Sequence, residues 1–86
     1  MALYEVQFKA SAAKEFRKLT LEVKGRIQKA IDGLRTDPRP AAMKKLAGET
    51  NLYRIRVGDY RVVYEIDDSN QFIVVTRVRH RRDVYQ

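Results

Sequence analysis

The chain has no cysteine, which excludes a disulfide framework, a thiolate nucleophile and any zinc site built on sulfur. Its single histidine, His80, excludes a multi-histidine metal site and an acid–base pair of histidines. Long apolar runs are also missing. The longest, Phe72 to Val75, is far too short to span a bilayer, and charges interrupt the apolar residues of the opening stretch, so no signal peptide is read there. A soluble cytoplasmic protein is the expectation. Acidic residues are outnumbered, 11 against 18 lysines and arginines, for a formal net charge of +7 and a sequence pI near 10.0. Such an excess favours a polyanionic partner, either nucleic acid or an acidic protein. At 86 residues the chain is expected to form one domain, residues 1–86, with a modest core. It contains no repeat, low-complexity tract or internal boundary.

What is present is organised around Leu52 to Glu65, two alternating runs about the Gly58-Asp59 dipeptide, a strong hairpin signal. Alternation places Tyr53, Ile55, Val57, Tyr60, Val62 and Tyr64 on one face, and Arg54, Arg56, Arg61 and Glu65 on the other. A two-residue loop pairs Val57 with Tyr60, Arg56 with Arg61, Ile55 with Val62 and Tyr53 with Tyr64. Like charges directly opposite are destabilising, by something like ~0.2–1 kcal/mol. The Arg56–Arg61 pairing makes sense if an anion sits over it; the alternative is an ordinary solvated face with wet guanidinium heads.

Upstream, Tyr4, Val6 and Phe8 alternate with polar residues and read as a half-buried strand. Ser11 is the expected N-cap of a short helix carrying Ala12, Phe16 and Leu19. Thr20 is the expected N-cap of a second, whose stripe is Val23, Ile27, Ala30, Ile31 and Leu34. Both prolines fall in Thr36 to Pro40 and stop that helix. A connector follows to about Thr50, in which Ala41 to Leu46 reads as a helical turn. After a turn at Asp67 to Asn70, the segment Gln71 to Arg79 is a further strand. Both faces of Phe72 to Val75 are apolar, so its register stays open. Either Arg77, Arg79 and Arg81, or Thr76, Val78 and His80, face the basic side. The expected fold is α+β: an N-terminal strand, a helical hairpin, then a three-stranded antiparallel meander, with the helices packed on one face of the sheet.

Lys45-Leu-Ala-Gly, then Leu52-Tyr-Arg-Ile-Arg-Val-Gly-Asp-Tyr-Arg-Val-Val-Tyr, then Val78-Arg-His-Arg-Arg-Asp-Val-Tyr, together resemble the RelE branch of the RelE/ParE toxin superfamily. The resemblance extends more loosely over the whole chain. It implies a toxin of a type II toxin–antitoxin pair that cleaves mRNA in the ribosomal A site. Implied partners are a RelB-like antitoxin, the ribosome with mRNA in its A site and, through the antitoxin, operator DNA; no cofactor is implied. By position, Arg54 and Arg56 match two basic residues on the strand entering the hairpin, lysines in the best-known members. Arg61, Arg81 and Tyr85 match the family's arginines and its closing tyrosine. The chain ends one residue after Tyr85, so the C-terminal helix of some members is not expected.

RNA is cut when its 2′-hydroxyl attacks the adjacent phosphorus, which calls for a base, a proton donor at the leaving 5′-oxygen and cations around the phosphorane. A metal route wants clustered carboxylates, and Asp67 and Asp68 lie in a turn away from the arginines. The reading is therefore a metal-independent endoribonuclease. Tyr85 is the general base, its phenolate stabilised by neighbouring cations. Arg61 stabilises the phosphorane and Arg81 serves the leaving group, with His80 the substitute acid or base. Arg54 and Arg56 clamp phosphates, and Lys44 and Lys45 are further candidates to hold RNA. Two alternatives stand beside it: a ParE-like gyrase inhibitor, and a non-catalytic RNA-binding module.

Overall fold

The structure, a computed structural model, describes residues 3–41, 43–46, 51–80 and 82. In chain order its elements are β1 (Glu5–Phe8), α1 (Ala10–Arg17), α2 (Leu21–Leu34), β2 (Lys44–Lys45), β3 (Leu52–Val57), β4 (Tyr60–Asp67) and β5 (Phe72–His80). Among the described residues these strands form one sheet in the order β1-β5-β4-β3-β2. Every neighbouring pair is antiparallel except β1 and β5, which run parallel. A parallel partner needs a crossover, and here the two helices and the hairpin intervene between β1 and β5.

The hairpin forms in the expected register, Val57 opposite Tyr60 and Arg56 opposite Arg61. Gly58 has φ +60°, and Asp59 has none of the left-handed character, which is the pattern of a type II′ turn. α2 starts where the sequence indicates: Thr20 is extended and its Oγ1 accepts the Val23 N–H at 3.3 Å. α1 starts differently. Lys9 is its N-cap with no side-chain cap, and Ser11 lies inside the first turn.

Helical periodicity in α2 turns Ile27, Ile31 and Leu34 inward, where with Ala12 of α1 they meet Tyr53, Ile55, Val62, Tyr64, Ile66, Ile73, Val75 and Val78 of the sheet. Each large aliphatic side chain buried this way contributes roughly 1.5–3 kcal/mol. Tyr53 and Tyr64 are thus core residues. The Tyr64 hydroxyl donates to the Pro38 carbonyl at 2.8 Å, and its burial pushes the phenol up to about 12.

Beyond α2 the chain is pinned rather than helical. Arg39 donates two hydrogen bonds to Asp68, at 3.1 and 2.8 Å, and its guanidinium lies 5.3 Å from the centre of the Tyr53 ring. The Tyr4 hydroxyl donates to the same carboxylate at 2.8 Å. These contacts bring the connector to the outer side of β3, where Lys44 and Lys45 pair with Arg54 and Tyr53. A two-residue strand thus replaces the helical turn expected over 41–46. The open edge of β3 supplies hydrogen-bonding groups that the sequence of this segment does not reveal.

The register of β5 is settled by an irregularity. Val63 pairs with Arg77, but the next residue of β4, Tyr64, pairs with Val75, so Thr76 is an extra residue. The parity of β5 changes there. Ile73, Val75 and Val78 are all buried under the helices, and Arg77 and Arg79 turn to the face that the helices leave uncovered.

Candidate functional site

On that uncovered face, strand alternation assembles cations from four strands. Lys44 of β2 stands beside Arg54 of β3, in a row that continues through Val63 to Arg77 of β5. The next row is Arg56, Arg61 and Arg79, one from each of β3, β4 and β5. Adjacent strands lie about 4.8 Å apart, so three guanidinium stems share roughly 10 Å of sheet. Each like-charged neighbour pair left uncompensated costs about 0.2–1 kcal/mol. An anion lying over this row would relieve the repulsion between its members.

Lys44, Arg54, Ile55, Arg56 and Arg61 line one cleft of about 300 Å³. Arg56 is exposed, Arg54 is half-buried, and Arg61 is buried at 6% exposure on the face that α1 and α2 leave uncovered. Four cationic side chains thus surround Ile55 in the lining. A larger depression, about 580 Å³, lies around Glu65, Asp67, Asp68 and Phe72. Its carboxylates would repel a polyanion, and Asp68 is held down to about 2 by the hydrogen bonds of Arg39 and then Tyr4. The smaller cleft therefore has the electrostatics of an anion site. Its four cations are chemically suited to holding negative charge, and a proton acceptor must come from outside them.

The structure sorts the residues named from sequence. Arg54, Arg56, Arg61 and Lys44 come together. Lys45 is separated from Lys44, because it pairs with Tyr53 and so stands on the opposite side of the sheet. His80 also parts company with the arginines. It pairs with Tyr60 and meets that ring edge-on at 5.2 Å, on the side of the sheet that carries the core, and its Nδ1 accepts the Arg82 N–H at 3.2 Å. Alternation brought across the bulge gives this placement. Arg81 and Tyr85 lie outside the described residues.

Sequence reasoning left open the two arginines of β5 on this face and missed Glu15. Apolar residues fill 72 to 75 without a break, so spacing gave no register for Arg77 and Arg79, and the bulge at Thr76 shows only in the pairing with β4. Glu15 carried no local signal, since its contacts are with residues more than sixty positions away.

The family model of the ParE toxin of type II toxin–antitoxin systems matches residues 6–85. Toxin RelG of Mycobacterium tuberculosis is 31% identical over 87 residues, covering 96% of this chain and 97% of the relative. The mRNA interferase toxin RelE of Escherichia coli is 34% identical over 86 residues, covering 95% and 90%. Among solved structures, the archaeal RelE–RelB complex from Pyrococcus horikoshii superposes with a TM-score of 0.81 at 28% identity, covering 92% of this chain and 96% of that one.

Proposed function

Since this chain belongs to the ParE toxin family of type II toxin–antitoxin systems, within the RelE/ParE superfamily, we propose that it is an mRNA interferase, an endoribonuclease that cuts message on the ribosome. The observation that carries this reading is the convergence of Lys44, Arg54, Arg56 and Arg61 on one cleft of the sheet face that α1 and α2 leave uncovered. A relative named as an mRNA interferase, alike over nearly the whole chain, supports the reaction class.

In the proposed reaction the 2′-oxygen of one nucleotide bonds to the adjacent phosphorus and the bond from phosphorus to the 5′-oxygen breaks. The products are a 2′,3′-cyclic phosphate and a 5′-hydroxyl. Arg54, Arg56 and Lys44 hold the phosphate backbone. Arg61, at the floor of the cleft, stabilises the charge that builds on the phosphorane. Tyr85 takes the proton of the 2′-hydroxyl, its phenolate favoured by the surrounding cations, and Arg81 serves the leaving 5′-oxygen as cation or proton donor. The reaction proceeds without a metal ion, because a cleft lined by four cations repels one and itself supplies the positive charge a metal would bring. The partners are a RelB-like antitoxin, as in the archaeal RelE–RelB complex, and the ribosome. Operator DNA is reached through the antitoxin. Among the described residues, no helix is long and apolar enough to cross a membrane.

Adding the protein to a translation extract and mapping mRNA ends tests the proposal. Message cut only while ribosomes are engaged is the expected result; intact message overturns it. The matching family model is that of the ParE toxins, which gives a second reading, a gyrase inhibitor. A gyrase supercoiling assay run in parallel separates the two, since lost supercoiling with intact message supports the second. Binding of RNA with neither effect leaves a non-catalytic RNA-binding module.

A further inference from the structure

β1 ends at Phe8, whose partner is Val75, whereas β5 continues to His80. From Thr76 onward the outer edge of β5 has no strand beside it among the described residues. Unpaired edge groups need a partner or invite a foreign strand. The chain leaves β1 directly into α1, which packs along β5, and this brings Glu15 to the bare edge. Glu15 Oε1 accepts the Val78 N–H at 2.9 Å, and Oε2 accepts from Nε of Arg79 at 3.0 Å. Nη1 of Arg77 stands 4.0 Å from Oε2. One carboxylate thus closes the strand edge and takes hold of an arginine.

Arg79 is directly opposite Arg61, which is opposite Arg56. Its bond to Glu15 uses Nε, and its two Nη nitrogens make no hydrogen bond to any described residue. The Nη edge of a guanidinium can take a phosphate in a two-point contact. A side chain already held by a carboxylate loses less conformational freedom when it binds than a free one does. The same carboxylate offsets the repulsion between Arg79 and Arg61, so the row can stand before RNA arrives.

We propose that Glu15 is a positioning residue that holds Arg79 beside Arg61 as a further phosphate contact, extending the RNA track from the cleft toward β5. This rests on the RNA-cleaving reading above. An edge cap without a role toward RNA would need Val78 but not Arg79, and that difference is measurable.

The test is a double-mutant cycle of Glu15→Gln and Arg79→Ala, with Arg79→Lys as the conservative variant. Binding of a labelled single-stranded RNA is followed by anisotropy across a salt series, cleavage is measured in the translation extract, and melting curves check that each variant is folded. Arg79→Ala should weaken RNA binding roughly tenfold and flatten the log–log salt slope by about 0.7, the loss of one phosphate contact. Arg79→Lys should restore the slope but only part of the affinity, because an ammonium lacks the guanidinium fork. Glu15→Gln should cost several-fold in an otherwise unchanged protein and nothing further in the Arg79→Ala background. Unchanged affinity and slope in Arg79→Ala overturn the proposal. So does an equal loss from Glu15→Gln in both backgrounds, which assigns Glu15 to the strand edge alone. Failure of the unaltered protein to bind RNA at all overturns the parent reading instead.

Discussion

Removing Arg56 should move stability and function in opposite directions. Its register partner is Arg61, so the pair stands at the Cα separation of about 4.5–5.5 Å that antiparallel neighbours have. Arg56 is exposed and Arg61 is buried, which leaves Arg56 as the member that can be changed without opening a cavity. Arg56→Gln keeps most of the stem and discards the charge. Relief of one like-charged cross-strand pair should stabilise the fold by about 0.2–1 kcal/mol, or roughly 1–8 °C in melting temperature for a domain of this size. The gain should appear at low ionic strength. It should fade toward 1 M salt, where the screening length falls to about 3 Å. The same variant should bind single-stranded RNA more weakly, with a salt slope shallower by about 0.7. Thermal melts at two salt concentrations and an anisotropy titration measure both effects. A variant that melts lower at low salt, or a gain that persists unchanged in 1 M salt, refutes the view that this row is an electrostatic conflict maintained for an anion.

Lys44→Ala should weaken RNA binding and Lys45→Ala should leave it unchanged, because the strand pairing puts only Lys44 on the cleft; equal losses in an anisotropy assay would contradict that geometry. Tyr64→Phe removes the hydrogen bond to Pro38 from a fully buried ring and should cost about 1 kcal/mol, seen as a fall of roughly 4–8 °C in melting temperature, with mRNA cleavage unaffected. The folded Asp68 carboxyl titrates below its unfolded value, so its contribution to stability is complete above pH ~4 and is lost as pH falls toward about 2; NMR titration of the carboxyl carbon checks the value, and Asp68→Asn should flatten the acid limb of the stability curve in that window. Tyr85→Phe should lower cleavage by about 10² or more if its oxygen transfers the proton, whereas His80→Ala, on the core side of the sheet, should keep cleavage; the reverse outcome would make His80 the base.

Much of this protein follows from local pattern. Alternation about Gly58-Asp59 determines the β3–β4 register, the opposition of Arg56 to Arg61 and the split between an aromatic face and a cationic one. Thr20 caps α2 and the stripe through Ile27, Ile31 and Leu34 faces the core. In each case the interacting residues are close in sequence, so side-chain period and turn chemistry are enough. The motif carried by the hairpin and the C-terminal segment also points to the RelE/ParE superfamily without any structure.

Tertiary structure decided the rest. Phe72 to Val75 is apolar on both faces, so alternation was silent. Only packing under the helices, α1 above all, and pairing with β4 select the bulge at Thr76, which sends Arg77 and Arg79 to the open face and His80 to the core face. Lys44 and Lys45 became a strand because β3 had an unfilled edge where the connector, tied by Arg39 and Asp68, arrives. Ser11 lost the cap position to Lys9 because the chain turns into α1 immediately after β1. Glu15 reached Val78 and Arg79 only because β1 stops four residues into a longer neighbour. A local pattern states which way a side chain points relative to its own strand or helix, and the partner it meets is chosen by pairings between segments far apart in the chain.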